Sequence, residues 1–356
     1  MIEVPICPEC KVPTYITSEH IWLGDGAIVQ TKHPENRVAF FESENFDPLF
    51  KGIEELIGTS IDRIVVNVAR RMARAYMTRV ISEQERAILR SGRFPPELTF
   101  ETTFTMVRIL GMGVPSLVDL HFEYTPDDYI VVRYTNPYSA PIMAGTLAGT
   151  VEAYIEQSVG VTYEYVSPEA IDARVFSSEH PEELKHRPWA KAHQPGQGDV
   201  KLGRCPACGG PAMLSRCRWD IDQGIIRANS TGRRMAIVGP QILDGVFEEL
   251  KSELGEDIPR IVVEAQRRFV RNGFYPAAAI RDPELREQLA LRGLGDLTAL
   301  EVDQGGVRMS MNNTVLPLIV VGFIQGLFEL AYGLESRADW EIADDGTLKA
   351  EITPWN

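Results

Sequence analysis

Two short stretches of this chain hold side chains whose type and spacing suit chemistry: Cys7-Pro-Glu-Cys10 and Cys205-Pro-Ala-Cys208. A CPxC turn points two thiolates at one metal, while backbone N–H groups of the turn soften their charge. The all-sulfur set suits tetrahedral zinc, with iron as the alternative metal. One knuckle supplies two ligands and a closed structural site needs four. The expected donor set is therefore Cys7, Cys10, Cys205 and Cys208 together, brought to one point if the two halves of the chain pack about a pseudo-twofold axis. Other arrangements stay open: separate incomplete sites completed by His20 or Cys217, redox-active dithiols, or thiols that hold nothing. Cys217 stands apart and reads as a small buried hydrophobe.

The elements behind each knuckle repeat as well. Ile61-Asp-Arg-Ile-Val-Val66, followed by Arg70 and Arg71, returns as Ile258-Pro-Arg-Ile-Val-Val263, followed by Arg267 and Arg268. Asn136, Gly145, Gly149 and Glu152 return as Asn313, Gly322, Gly326 and Glu329, with about twenty residues lost from the second copy in between. This pattern is an internal duplication. It predicts an α+β chain of two domains, 1–195 and 196–356, joined by a polar, Pro- and Gly-containing linker over 178–203.

Each knuckle leads into three short alternating runs: Thr14–Leu23, Ala27–His33 and Arg37–Glu42, then Ala212–Asp220, Gly224–Asn229 and Arg234–Val238. Helical spacing follows in Phe46–Ile57 and Leu243–Leu254, and in the longer Ser60–Ile81 and Asp257–Phe274. Ile61, Ile64, Val65, Val68 and Met72 mark a buried face, which leaves Arg63, Arg70, Arg71 and Arg74 outward. Both copies then run through further helix into a hairpin, a glycine-bearing helix (Ala140–Gln157; Leu316–Gly333) and two closing strands.

Composition limits the function classes. With 44% hydrophobic and 24% charged residues the chain reads as globular. A formal net charge of −14 argues against nucleic-acid or anionic-membrane surfaces, which need basic patches. The first residues carry no cationic, apolar leader. The most apolar run, Val315 to Tyr332, contains Gln325 and Glu329 and reads as a buried helix rather than a membrane span. A cytoplasmic, reducing location is expected, where cysteine pairs favour metal or redox chemistry over disulfides. P-loop, GxSxG and HExxH patterns are missing from the sequence.

The segment Tyr129–Tyr165, with Asn136, Gly145, Gly149 and Glu152, resembles the C-terminal part of the 4-vinyl-reductase-like domain family, and Gly306–Ile342 repeats it. That family belongs to a wider group with haem-dependent nitric-oxide-sensing modules and Golgi-transport TRAPP subunits. The resemblance implies an α+β domain around a largely apolar cavity, in a small-molecule sensor or an accessory protein of bacteriochlorophyll synthesis. The family's phenol sensors carry zinc-binding cysteines just after the glycine helix. Tyr163–Phe176 and Ala338–Ile352 contain none, so phenol sensing does not carry over.

A ligand cavity would be lined by Met72, Tyr76, Met77, Phe269 and Phe274, side chains that also sit at core spacing. Glu152 and Glu329 either contact ligand or bridge to an arginine such as Arg133 or Arg308, and Asn136 and Asn313 are expected helix caps. The glycine pairs either let helices approach closely or open room for a ligand. The leading expectation is a sensory protein that takes a small apolar or aromatic molecule, holds structural zinc and passes its signal to a protein partner or a second copy. A structural adaptor, and an enzyme or enzyme accessory acting on an apolar or tetrapyrrole-like substrate, are the alternatives. No catalytic residue is expected.

Overall fold

The computed structural model describes residues 4–90, 96–123, 125–179, 194, 196–272 and 275–355. It is a mixed α+β chain of antiparallel sheets and helices. Its contacts divide into two compact units: Met1–Val4 with Ser60–Lys191 and Trp219–Ile226, and Pro5–Thr59 with Ala192–Arg218 and Arg227–Asn356.

The first unit holds helices α3 (Asp62–Val80), α4 (Glu83–Arg90), α5 (Pro96–Ile109) and α6 (Ala140–Ile155), with strands β4 (Val114–His121), β5 (Tyr129–Thr135), β6 (Val159–Ser167) and β7 (Ala170–Ser177). The strands form an antiparallel sheet in the order β4-β5-β7-β6. α6 crosses α3 at the glycines. A Cβ on Gly145 would stand 2.3 Å from the Val66 carbonyl oxygen, and one on Gly149 would stand 2.0 Å from that of Arg70. Such distances are far inside van der Waals contact, so these positions are bare because two backbones touch there.

The second unit begins with α1 (Thr14–Glu19), β1 (His20–Trp22), β2 (Ile28–Gln30), β3 (Arg37–Glu42) and α2 (Phe46–Ile57). It continues with β10 (Arg234–Val238), α7 (Gln241–Leu254) and α8 (Ile258–Arg271); before β10 the chain forms the hairpin strands β8 (Cys217–Asp220) and β9 (Ile225–Ala228), of which Trp219–Ile226 belongs to the first unit. α9 (Leu285–Leu291), β11 (Asp296–Asp303), β12 (Gly306–Asn312), α10 (Pro317–Tyr332), β13 (Ser336–Ile342) and β14 (Leu348–Pro354) complete it. β1, β2 and β3 form a meander, and β3 continues onto β10 with Glu42 opposite Met235 and Ala39 opposite Val238. All six residues of β3 are buried, because it is a central strand covered on both faces. The second sheet has the order β11-β12-β14-β13, the same as in the first unit. α10 lies on α8 as α6 lies on α3: a Cβ on Gly322 would meet the Val263 carbonyl oxygen at 2.5 Å. Among the described residues, no helix is long and apolar enough to cross a membrane.

Three local expectations are corrected. Thr14–Glu19 is a helical turn, and Ala212–Arg216 a 3-10 turn, where alternation suggests strand. In both, a proline (Pro13, Pro211) fixes the backbone just before the turn, and one apolar residue (Ile16, Leu214) is driven inward. Arg70 is buried rather than outward, because it pairs with Glu152 beside the bare crossing of α3 and α6. Asn136 and Asn313 are not caps: both adopt left-handed backbone (φ 52 and 51), which asparagine tolerates, in the strand-to-helix connections. The position before α6 is Ser139 and the one before α10 is Leu316.

Candidate metal centre

The two knuckles fold alike. In the first, Cys7 N–H donates to the Val12 carbonyl at 2.9 Å and Lys11 N–H to the Cys7 carbonyl at 3.0 Å. In the second, Cys205 N–H donates to the Gly210 carbonyl at 2.8 Å and Gly209 N–H to the Cys205 carbonyl at 2.9 Å. Lys11 and Gly209 take the same left-handed conformation (φ 61 and 72) that closes each turn. The bridges Ile6–Pro13 and Arg204–Pro211 pin the stems.

Both knuckles belong to the second unit, and their sulfurs converge. Cys7 Sγ lies 3.8 Å from Cys205 Sγ, and Cys10 Sγ lies 3.6 Å from Cys208 Sγ. All four ligand atoms fall within 4.8 Å of one another. A tetrahedron with metal–sulfur bonds of about 2.3 Å has sulfur–sulfur edges of about 3.8 Å. Disulfides need about 2.05 Å, and all five cysteines are free thiols. Cys7, Cys10 and Cys205 are buried and Cys208 half-buried.

Electrostatics within the knuckles favour sulfur anions at their first cysteines. Backbone N–H groups of Cys208 and Ala207 draw Cys205 down to about 7, and those of Cys10 and Glu9 lower Cys7. Burial pushes Cys10 up to about 12. A divalent cation would deprotonate such a thiol outright. The donor set, the edge lengths and the burial therefore fit a closed four-sulfur metal site, which leaves no open coordination position for substrate. His20 and Cys217 are not in the cluster: His20 Nδ1 lies 3.0 Å from the Ile16 carbonyl oxygen, and Cys217 is half-buried rather than buried as expected, with desolvation raising its thiol to about 12.

Glu152 and Glu329 are both deeply buried, each at the glycine crossing of its own unit. Glu152 sits 3.6 Å from Arg70 and 3.8 Å from Arg74, and accepts from Val159 N–H at 3.1 Å. Burial raises its carboxyl despite these arginines. Glu329 accepts from Arg267 at 2.7 Å, lies 3.3 Å from Arg271, and takes the Ser336 N–H at 2.9 Å. Each carboxylate thus ties a helix pair to the start of the following strand. The arginines named from the sequence pair elsewhere: Arg133 with Asp172 at 2.7 Å and Arg308 with Glu351 at 3.2 Å, both across neighbouring strands. Met72, Tyr76 and Met77 are half-buried on α3, and Phe269 is buried on α8. Phe274, along with His180, His186 and His193, lies outside the described residues.

Sequence reasoning missed a second polar cluster in the second unit. Glu42, at the end of β3, is 3.1 Å from Arg233 and 3.4 Å from Arg292 and accepts a hydrogen bond from Tyr275. Phe41, Phe269 and Phe323 surround it, with Arg233 4.8 Å from the Phe269 ring centre. Its members lie far apart in sequence and share no spacing, so only the fold brings them together.

No protein-family model matches the chain, and no curated protein matches it either. Among solved structures it is similar to a point mutant of T. tengcongensis H-NOX, at 15% identity over 33% of this chain and 75% of that one, with a TM-score of 0.25. It is also similar to the phenol-responsive sensory domain of the transcription activator PoxR with phenol, at 14% identity over 40% and 86%, with a TM-score of 0.27. A Cs H-NOX mutant carrying 4-cyano-L-phenylalanine matches at 14% identity over 39% and 81%, with a TM-score of 0.25. Likenesses this distant transfer no residue role to this chain.

Proposed function

We propose that this chain is a non-catalytic small-molecule-binding protein of tandem 4-vinyl-reductase-like repeats, in which Cys7, Cys10, Cys205 and Cys208 hold one structural zinc. The observation that carries the metal reading is the convergence of four sulfurs within 4.8 Å, at edge lengths a tetrahedral thiolate site needs. Tetrahedral four-thiolate geometry accepts zinc or iron; zinc is proposed because the role assigned to the site is a structural tie, which needs no redox metal. Its role is to tie the N-terminal meander to the second knuckle, since zinc binding to a site absent from the unfolded chain is folding free energy. The ligand-binding part rests on the sequence resemblance of the two hairpin–helix–hairpin segments and on the aromatic and methionine side chains of α3 and α8. A small apolar or aromatic molecule is the expected ligand.

Thiol titration tests the metal reading. With zinc bound, the four knuckle thiols resist a disulfide reagent at pH 8, and a chelator exposes all four. Equal reactivity with and without chelator would contradict it.

A further inference from the structure

The four cysteines of the candidate metal centre are not equally sheltered. Cys7, Cys10 and Cys205 are buried, whereas Cys208 is half-buried. The knuckles also differ at the residue after the second cysteine. Lys11 follows Cys10, but Gly209 follows Cys208, and a Cβ on Gly209 would meet nothing within 4 Å. A small oxidant such as hydrogen peroxide therefore reaches Cys208 before the other three. It is small enough for a half-buried sulfur that a bulky disulfide reagent does not reach.

The sulfur that Cys208 faces belongs to the other knuckle. Cys10 Sγ lies 3.6 Å from Cys208 Sγ, and Cys7 Sγ lies 3.8 Å from Cys205 Sγ. First cysteine meets first, second meets second, and each pair spans 198 residues. A metal-bound thiol is deprotonated, and the thiolate is the nucleophile. Which disulfide it forms decides what oxidation does to the fold. A bond within one knuckle would cut the tie between the two, while a bond between knuckles would replace the metal's tie with a covalent one.

We propose that the four-cysteine centre gives up its zinc to peroxide by forming the disulfide Cys10–Cys208, which keeps the two knuckles tied. The Cys208 thiolate attacks one peroxide oxygen; the O–O bond breaks, hydroxide leaves and Cys208 becomes a sulfenic acid. The Cys10 thiolate attacks the Cys208 sulfur; the S–S bond forms, the S–O bond breaks and a second hydroxide leaves. Two thiolates lose two electrons, peroxide gains them, and both hydroxides take up protons to become water. Cys7 and Cys205 alone remain, half of the ligands a closed site needs, so zinc is released. Two equivalents of a small thiol reverse the disulfide by exchange. This inference rests on the metal reading and gives that site a regulated release.

The full-length Cys217→Ala chain, whose remaining thiols are the four of the cluster, tests it with one equivalent of hydrogen peroxide. A chromogenic chelator reads about one zinc released per chain, and the mass of the metal-free chain falls by about 2 Da as two thiol hydrogens are lost. Tryptic mapping without reductant joins the peptide of Cys10 to that of Cys208, and fragmentation places the bond at these two residues. The oxidised chain melts above the reduced chain stripped of zinc, because the crosslink constrains its unfolded state. Zinc retained after peroxide, or a bond Cys7–Cys10 or Cys205–Cys208 in place of the one between knuckles, would overturn the proposal. Zinc content before oxidation separates the failures. A chain that holds none sinks the metal reading and this inference together; one that holds zinc and keeps it sinks this inference alone.

Discussion

Cys10 Sγ and Cys208 Sγ lie 3.6 Å apart across a chain separation of 198 residues. Two knuckles of the same internal geometry meet in one compact unit, and in the same unit the N-terminal meander pairs β3 with β10. Closing so long a loop costs only logarithmically more than closing a short one, so a single metal tie can offset it.

The bare crossing of α6 on α3 predicts a strong local penalty. In Gly149→Ala the new Cβ would sit 2.0 Å from the Arg70 carbonyl oxygen and 2.9 Å from Ala73 Cβ, so the helices must separate. Urea denaturation should show a loss of about 1–3 kcal/mol. Gly203→Ala, where a Cβ meets nothing within 4 Å, should stay within about 0.5 kcal/mol. Equal effects of the two changes would contradict the close-approach account.

Asp244 on α7 predicts a pH dependence. Asp244 is half-buried by solvent exposure but densely surrounded, and desolvation pushes its carboxyl up to about 7; Arg37 opposes the shift and Glu248 adds to it. In the unfolded chain an aspartate titrates near about 3.9. Between those values the folded state holds a proton that unfolding releases, so this group's contribution is greatest below about pH 4 and is lost as pH rises through about 7. Asp244→Asn should flatten the decline in stability between pH 5 and pH 8. Parallel pH profiles for the two proteins would count against it.

Much of this was legible in the sequence because local patterns carried it. Phe46–Ile57 and Arg37–Glu42 have the bounds their periodicity suggests, and the knuckle cysteines announce a common site by type and spacing. The failures are tertiary. Arg70 looks like a surface residue until Glu152 and the glycine crossing are brought beside it. Thr14–Glu19 alternates like a strand, but Pro13 and the bridge from Ile6 turn it into a helix. The Glu42 cluster draws on residues from 41 to 323, and no window of sequence could show that Arg292 would face Phe41 and Phe323.

Metal stoichiometry by elemental analysis, on the wild type, Cys208→Ala and Cys217→Ala, tests the central claim most directly. The account predicts one zinc per chain in the wild type and in Cys217→Ala, with zinc and thermal stability lost together in Cys208→Ala. Two metals per chain, or an unchanged zinc content in Cys208→Ala, would contradict the shared four-cysteine site.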